Sequence, residues 1–243
     1  MKKILFCISI MLGIFAINGT VEAKTERNKK NDLELVFILD RSGSMSGLEK
    51  DTIGGYNSML QKQKKSEKGE VYVTTVLFDD RYELLYDRVS LNKMKSITEK
   101  EYYVRGSTAL LDAVGKTISQ VKANQNSLKK NERAKKVMFV IITDGEENAS
   151  KEYTAEKVKK MIEEQKKTEK WEFLFLGANI DAVSTAKRFG IDSSRAVRYN
   201  SDSIGTKKNF EVLNEAVEEV RSGRELTKSW KQEIEEDYEN RGK

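Results

Sequence analysis

The stretch Leu35–Gly47, LVFILDRSGSMSG, runs five apolar residues straight into an aspartate and sets hydroxyls at the second and fourth places after it. A continuous apolar run closed by turn residues is the pattern of a strand buried on both faces, because a half-exposed strand alternates apolar with polar. Asp40 therefore stands at the exit of a core strand. Ser42 and Ser44 follow at alternate positions, so in an extended turn all three side chains can face one point.

The rest of the chain repeats this theme. Leu33–Leu39, Val71–Phe78 (VYVTTVLF), Val137–Thr143 (VMFVIIT) and Trp171–Leu176 (WEFLFL) read as strands, with Ala196–Tyr199 as a last short one. Between them lie helical stripes: Leu48, Thr52, Tyr56, Met59, Leu60 and Gln63; then Leu110, Leu111, Val114, Ile118 and Val121; then Val158, Met161 and Ile162. Asp181–Phe189 reads as a helix capped by Asp181 and closed by Gly190, and Phe210, Leu213, Val217 and Val220 mark another. A second run at Tyr82–Tyr86, reached through the turn residues DDR at Asp79–Arg81, makes a hairpin with the strand before it. Apolar strands separated by amphipathic helices predict an α/β fold, doubly wound around a mostly parallel sheet with one antiparallel edge hairpin strand.

Composition narrows the chemistry. The chain has 243 residues, 38% of them hydrophobic and 34% charged, enough for one domain with a full core. It contains no histidine, and its one cysteine is Cys7. Ser-His-Asp and Cys-His nucleophiles and His/Cys zinc sites are thereby excluded, and a metal would have to be held by oxygen. The net charge of +5 is spread through interleaved KK and EE pairs, a solvated surface with no nucleic-acid face.

Four segments are expected. Residues 1–23 read as a Sec-type signal peptide, with Lys2 and Lys3 before the apolar run Ile4–Ile17 and cleavage after Ala23 in VEA. The run is short for a membrane span, so membrane contact is expected only through an uncleaved leader, and the product is secreted or extracytoplasmic. Residues 24–32 form a polar linker, 33–222 the domain, and 223–243 a C-terminal amphipathic helix on which Leu226, Trp230, Ile234 and Tyr238 stand four apart. That stripe docks on its own domain or binds a partner; the spacing does not choose, and oligomeric state is equally unread.

In an open α/β sheet, ligands bind beyond the carboxyl ends of the strands, where Asp40 stands. An aspartate with two hydroxyls is a hard, oxygen-only set suited to Mg²⁺, Mn²⁺ or Ca²⁺. Thr108 in RGSTALLDAVG and Asp144 in VIITDGEEN lie at exits toward the same rim. Taken singly, each residue has a plainer reading: Ser42 and Ser44 as helix caps, Thr108 as an N-cap before Ala109, Asp144-Gly145 as a turn. Asp79 and Asp80 read as hairpin turn, Glu146 and Glu147 as loop solvation, and Arg41 as pointing out of the motif without a role in chemistry.

Together the motifs resemble the von Willebrand factor A domain. ILDRSGSM is similar to its DxSxS signature, GSTAL to its threonine motif and ITDGEEN to its third motif, in the right order between Leu33 and about Val220. The resemblance implies a Rossmann-like fold and a metal ion-dependent adhesion site in which Asp40, Ser42, Ser44, Thr108 and Asp144 hold Mg²⁺, with Mn²⁺ or Ca²⁺ as substitutes. It also implies a non-enzymatic, adhesion-type module whose protein partner presents an exposed Asp or Glu to complete the coordination. Two other readings compete. A strand ending in Asp with a later TDG also resembles the haloacid dehalogenase-like phosphatases, with Asp40 as nucleophile beside Mg²⁺, but Ser42 stands where that family places its general acid. The third is a permanently metal-stabilised domain with no binding role.

Overall fold

The computed structural model describes residues 32–66 and 68–241; the expected signal peptide and nearly all of the linker lie outside the described residues. A six-stranded sheet forms the centre, in the order β3-β2-β1-β4-β5-β6. Its strands are β1 (Leu33–Asp40), β2 (Val71–Phe78), β3 (Tyr82–Ser90), β4 (Lys136–Thr143), β5 (Glu172–Gly177) and β6 (Ala196–Arg198). Among the described residues only β2 and β3 pair antiparallel. The sheet is the expected doubly wound, mostly parallel one.

Every residue of β1 is buried, because β2 and β4 flank it and helices cover both faces. Odd-numbered Leu33, Leu35, Phe37 and Leu39 pack with Tyr56, Met59 and Leu60 of α1 (Glu49–Lys64) and with Phe210, Leu213 and Val217 of a later helix (Ser203–Arg221). Val36 and Ile38 face the other way, onto Val114, Ile118 and Val121 of α2 (Leu110–Ser127), Val158 and Ile162 of α3 (Ala155–Thr168), and Ala182 and Ala186 of α4 (Ala182–Arg188). The Ser203–Arg221 helix is α5. Period-2 alternation along one strand thus feeds two separate cores.

The strand order reverses at β1. From it the chain winds outward through β2 to β3, then returns to β4 on the other side and continues to β5 and β6. The carboxyl ends of β1 and β4, neighbours in register from Leu33↔Lys136 to Leu39↔Ile142, therefore open on the crevice where open α/β sheets bind ligands.

The tail departs from the expected single helix. The last helix, α6, is Gln232–Arg241, preceded by a 3₁₀ turn at Lys228–Lys231, so Leu226 precedes any helix and the four-residue spacing does not trace one continuous stripe. Leu226, Trp230 and Ile234 are nonetheless buried in the core that holds α1 and α5, and Trp230 Nε1 donates to the Ser194 carbonyl at 2.9 Å. Tyr238 lies under the Arg198 guanidinium, 5.0 Å from ring centroid to Cζ. The segment docks on its own domain. Among the described residues no helix is long and apolar enough to cross a membrane.

Candidate metal centre

Three loops meet at the switch point: Arg41–Leu48 after β1, the long segment Met94–Ala109 before α2, and Asp144–Thr154 after β4. Their polar side chains join in one row of oxygens. Thr108 Oγ1 donates to Ser42 Oγ at 3.0 Å, Ser42 Oγ lies 3.1 Å from Ser44 Oγ, and Ser44 Oγ donates to Asp144 Oδ1 at 2.6 Å. Asp40 stands behind the row, its Oδ1 accepting from the Ser42 N–H at 2.7 Å and its Oδ2 from Thr143 Oγ1 at 2.6 Å. All five residues singled out in the sequence come together.

The capping readings fail on geometry. Ser42 precedes the 3₁₀ turn Gly43–Met45 without a side-chain cap, α1 begins after Leu48, and α2 begins after Ala109 with neither residue capping through its side chain. Thr108 spends its hydroxyl on Ser42 instead. Gly145 follows from the same crowding: a Cβ there would lie 3.0 Å from Ser44 Oγ and 3.2 Å from Thr108 Oγ1, tighter than ordinary contact.

Asp40, Ser42, Thr108 and Asp144 are almost wholly buried, whereas Gly43 and Ser44 are exposed. The oxygen row is therefore reached from solvent at Ser44. Burial pushes the Asp40 carboxyl up to about 6, against the hydrogen bonds from Thr143 and Ser42, with nearby Asp144 adding to the rise. Burial likewise raises Asp144, against hydrogen bonds from Ser44 and Ser201. A neighbouring positive charge would offset both penalties.

The donor set fits a hard divalent cation: three hydroxyls and two carboxylates, all oxygen, packed at contact distances. Among the described residues no three or more Asp, Glu, His or Cys side chains group as a metal site, which follows from a set whose majority is hydroxyl.

Several neighbours escaped the sequence reading. Ser201, in the loop after β6, donates to Asp144 Oδ2 at 3.3 Å, and Thr143 bonds Asp40 as above. Asn148 Oδ1 accepts from the Thr108 N–H at 2.9 Å. Glu147 is not loop solvation: it accepts from the N–H groups of Leu111, Ala149 and Ser150, tying the third loop to the start of α2. Asp79 is more than turn chemistry, for it is fully buried and accepts from both Arg41 and Arg105. Arg41 does point away from the oxygen row, as expected, yet it is wholly buried rather than free. No local signal marks these residues, since each acts on a segment far along the chain.

No family model matches the sequence, and no curated protein does. Solved structures match over most of the described residues. A von Willebrand factor type A protein from Catenulispora acidiphila superposes with a TM-score of 0.52 at 12% identity, covering 76% of this chain and 42% of that one. The PilB minor pilin of Streptococcus sanguinis gives 0.53 at 11%, covering 79% and 62%. Proximal thread matrix protein 1 of the mussel byssus, in a form with a zinc-occupied MIDAS motif, gives 0.51 at 14%, covering 81% and 47%. The chain thus spans less than two thirds of each neighbour's length, and at these identities the likeness is one of fold.

Proposed function

We propose that this chain, which has the fold of von Willebrand factor A domains, is a divalent-cation-dependent protein-binding module of the adhesion type. The observation that carries the reading is the row Thr108–Ser42–Ser44–Asp144, drawn from three loops to the switch point and open to solvent at Ser44. Bound there, Mg²⁺, Mn²⁺ or Ca²⁺ would supply a centre of positive charge able to attract a carboxylate from a partner. The chain's own part is to hold the oxygens. Thr143 and the Ser42 N–H orient Asp40, Ser44 and Ser201 orient Asp144, and Asn148 fixes the backbone of Thr108.

With only two carboxylates the site has no surplus negative charge against a divalent cation, which favours an incoming Asp or Glu over repulsion. The zinc of the mussel protein belongs to that protein; with no histidine here, the hard cations suit the oxygen set better. A phosphatase reading has less support. Ser42, a poor general acid, lies two residues on from Asp40, where that chemistry needs a second carboxyl. From the leader-like residues 1–23 we further propose that the module works outside the cytoplasm, with the mature chain starting at Lys24; N-terminal sequencing of the protein from cell fractions tests this.

The test is Mn²⁺ titration of the purified protein, read by water proton relaxation, with Mg²⁺, Ca²⁺ and Zn²⁺ as competitors and Asp144→Ala as control. An Asp-containing peptide is then added. Saturable binding lost in Asp144→Ala, with relaxation falling as the peptide enters, supports adhesion. Saturable binding with no peptide effect identifies a structural cation. A folded parent that binds no divalent cation overturns the whole reading.

A further inference from the structure

The segment Met94–Ala109 carries Thr108 but has no regular structure of its own, so something else must set the threonine against Ser42. Asp79, at the end of β2, is the hub. Its Oδ2 accepts from Arg41 Nε at 2.9 Å and from Arg105 Nε at 2.6 Å, and its Oδ1 from the Arg81 N–H at 2.8 Å. Its backbone carbonyl takes the N–H of Ala109, the residue after Thr108, at 2.9 Å. Arg41 comes from inside the DRSGS turn itself. It reaches Glu83 Oε2 on β3 at 2.6 Å and the Glu101 carbonyl of the second loop at 3.2 Å, so one side chain of the first loop ties both β3 and the second loop.

Main-chain bonds complete the junction, Arg105 N–H to the Arg41 carbonyl at 2.9 Å and Gly43 N–H to the Gly106 carbonyl at 3.1 Å. Gly106 makes the close approach with φ +65°, a conformation that suits glycine. Burial alone would raise the Asp79 carboxyl, but the bonds from Arg105, the Arg81 N–H and Arg41 outweigh it and hold it below its ordinary value. Asp79 is thus a fixed anion between two cations.

We infer that Arg41, Asp79 and Arg105 are positioning residues for the oxygen site: they touch no cation themselves but clamp the Thr108 loop onto the Ser42–Ser44 turn. This rests on the metal-binding reading above. The physical reason is the loop's freedom: without the clamp, ordering Thr108 has to be supplied by cation binding itself, and affinity falls. Outer residues that orient ligands are worth about 10–100-fold in metal affinity in known sites. The clamp joins three separate stretches: Arg41 between Asp40 and Ser42, Asp79 just after β2, and Arg105 three places before Thr108.

Arg41→Met leaves a buried carboxylate half-paired and risks the fold, so the decisive variants are gentler. Arg105→Gln removes a partly exposed partner while Asp79 keeps Arg41, and Asp79→Asn keeps the size of the hub while removing its charge and turning one of its two acceptors into a donor. Mn²⁺ affinity is measured well below the melting temperature, beside the metal-free melting temperature of each variant. The expected result is at least tenfold weaker Mn²⁺ binding in both, with far-ultraviolet circular dichroism unchanged. Glu83→Gln, which touches only the solvent-side partner of Arg41, should change affinity less than threefold. Lower melting temperatures with unaltered affinity would show a purely structural ion cluster and overturn the inference. A folded parent that binds no Mn²⁺ sinks the metal-binding reading, and with it this inference; a binding parent with indifferent variants sinks the clamp alone.

Discussion

Replacing Asp40 by asparagine separates the cost of its buried carboxylate from everything else in the protein. Asp40 is 1% exposed, and burial lifts it from 3.8 to about 6. Two pKa units correspond to about 3 kcal/mol. The sign follows from linkage: an acid whose folded pKa lies above its unfolded value favours the fold while protonated, and that advantage is lost as pH rises through the folded pKa. In the metal-free protein, the parent should therefore lose about 2 kcal/mol relative to Asp40→Asn between pH 4.5 and 7.5. For a domain of this size that is roughly 4–8 °C in melting temperature. The assay is urea unfolding of both proteins in EDTA across that range, taking the difference so that other carboxylates cancel. Saturating Mg²⁺ should reverse the order at neutral pH, because the cation needs the ionised form. A parent-minus-variant difference that stays flat with pH would refute the reasoning, showing that hydrogen bonds from Thr143 and Ser42 already compensate the burial.

Three further outcomes are expected. Gly145→Ala brings a methyl to 3.0 Å from Ser44 Oγ and 3.2 Å from Thr108 Oγ1, so Mn²⁺ affinity should fall at least about tenfold, as for disturbed outer residues of metal sites, while the metal-free melt moves little; unchanged affinity would mean the oxygens are not tightly placed. Glu147→Ala strips an acceptor from three backbone N–H groups and should cost about 1–2 kcal/mol, with faster hydrogen exchange at Leu111, Ala149 and Ser150; unchanged exchange there would count against the tie. Trp230→Ala should cost about 3–5 kcal/mol in chemical denaturation, since the ring is buried and bonded to Ser194, and a loss under about 1 kcal/mol would show the tail to be only loosely laid on the domain.

Much of the architecture was legible because periodicity reports which sides of an element are dry. The unbroken apolar runs Leu35–Leu39 and Val137–Ile142 announced central strands, and those are the strands buried on both faces. The helical stripes gave core faces directly: Thr52, Tyr56, Met59, Leu60 and Gln63 are the buried residues of α1. The tail was less legible, because four-residue spacing from Leu226 to Tyr238 is satisfied equally by a turn followed by a helix once each residue finds its own contact.

Sequence alone determined the fold class and singled out five oxygen-bearing side chains at the ends of strands and starts of helices, which the fold brings together. These depend on local pattern and on the rule that open α/β sheets gather ligands beyond their carboxyl ends. Only the tertiary structure decided what holds the donors. Thr143 meets Asp40 across 103 residues, Ser201 meets Asp144 across 57, and Arg41 meets Asp79 across 38. Local propensity carries no information about such pairs; they exist because the strand order brings polar groups from distant segments into one dry space where each must find a hydrogen-bond partner.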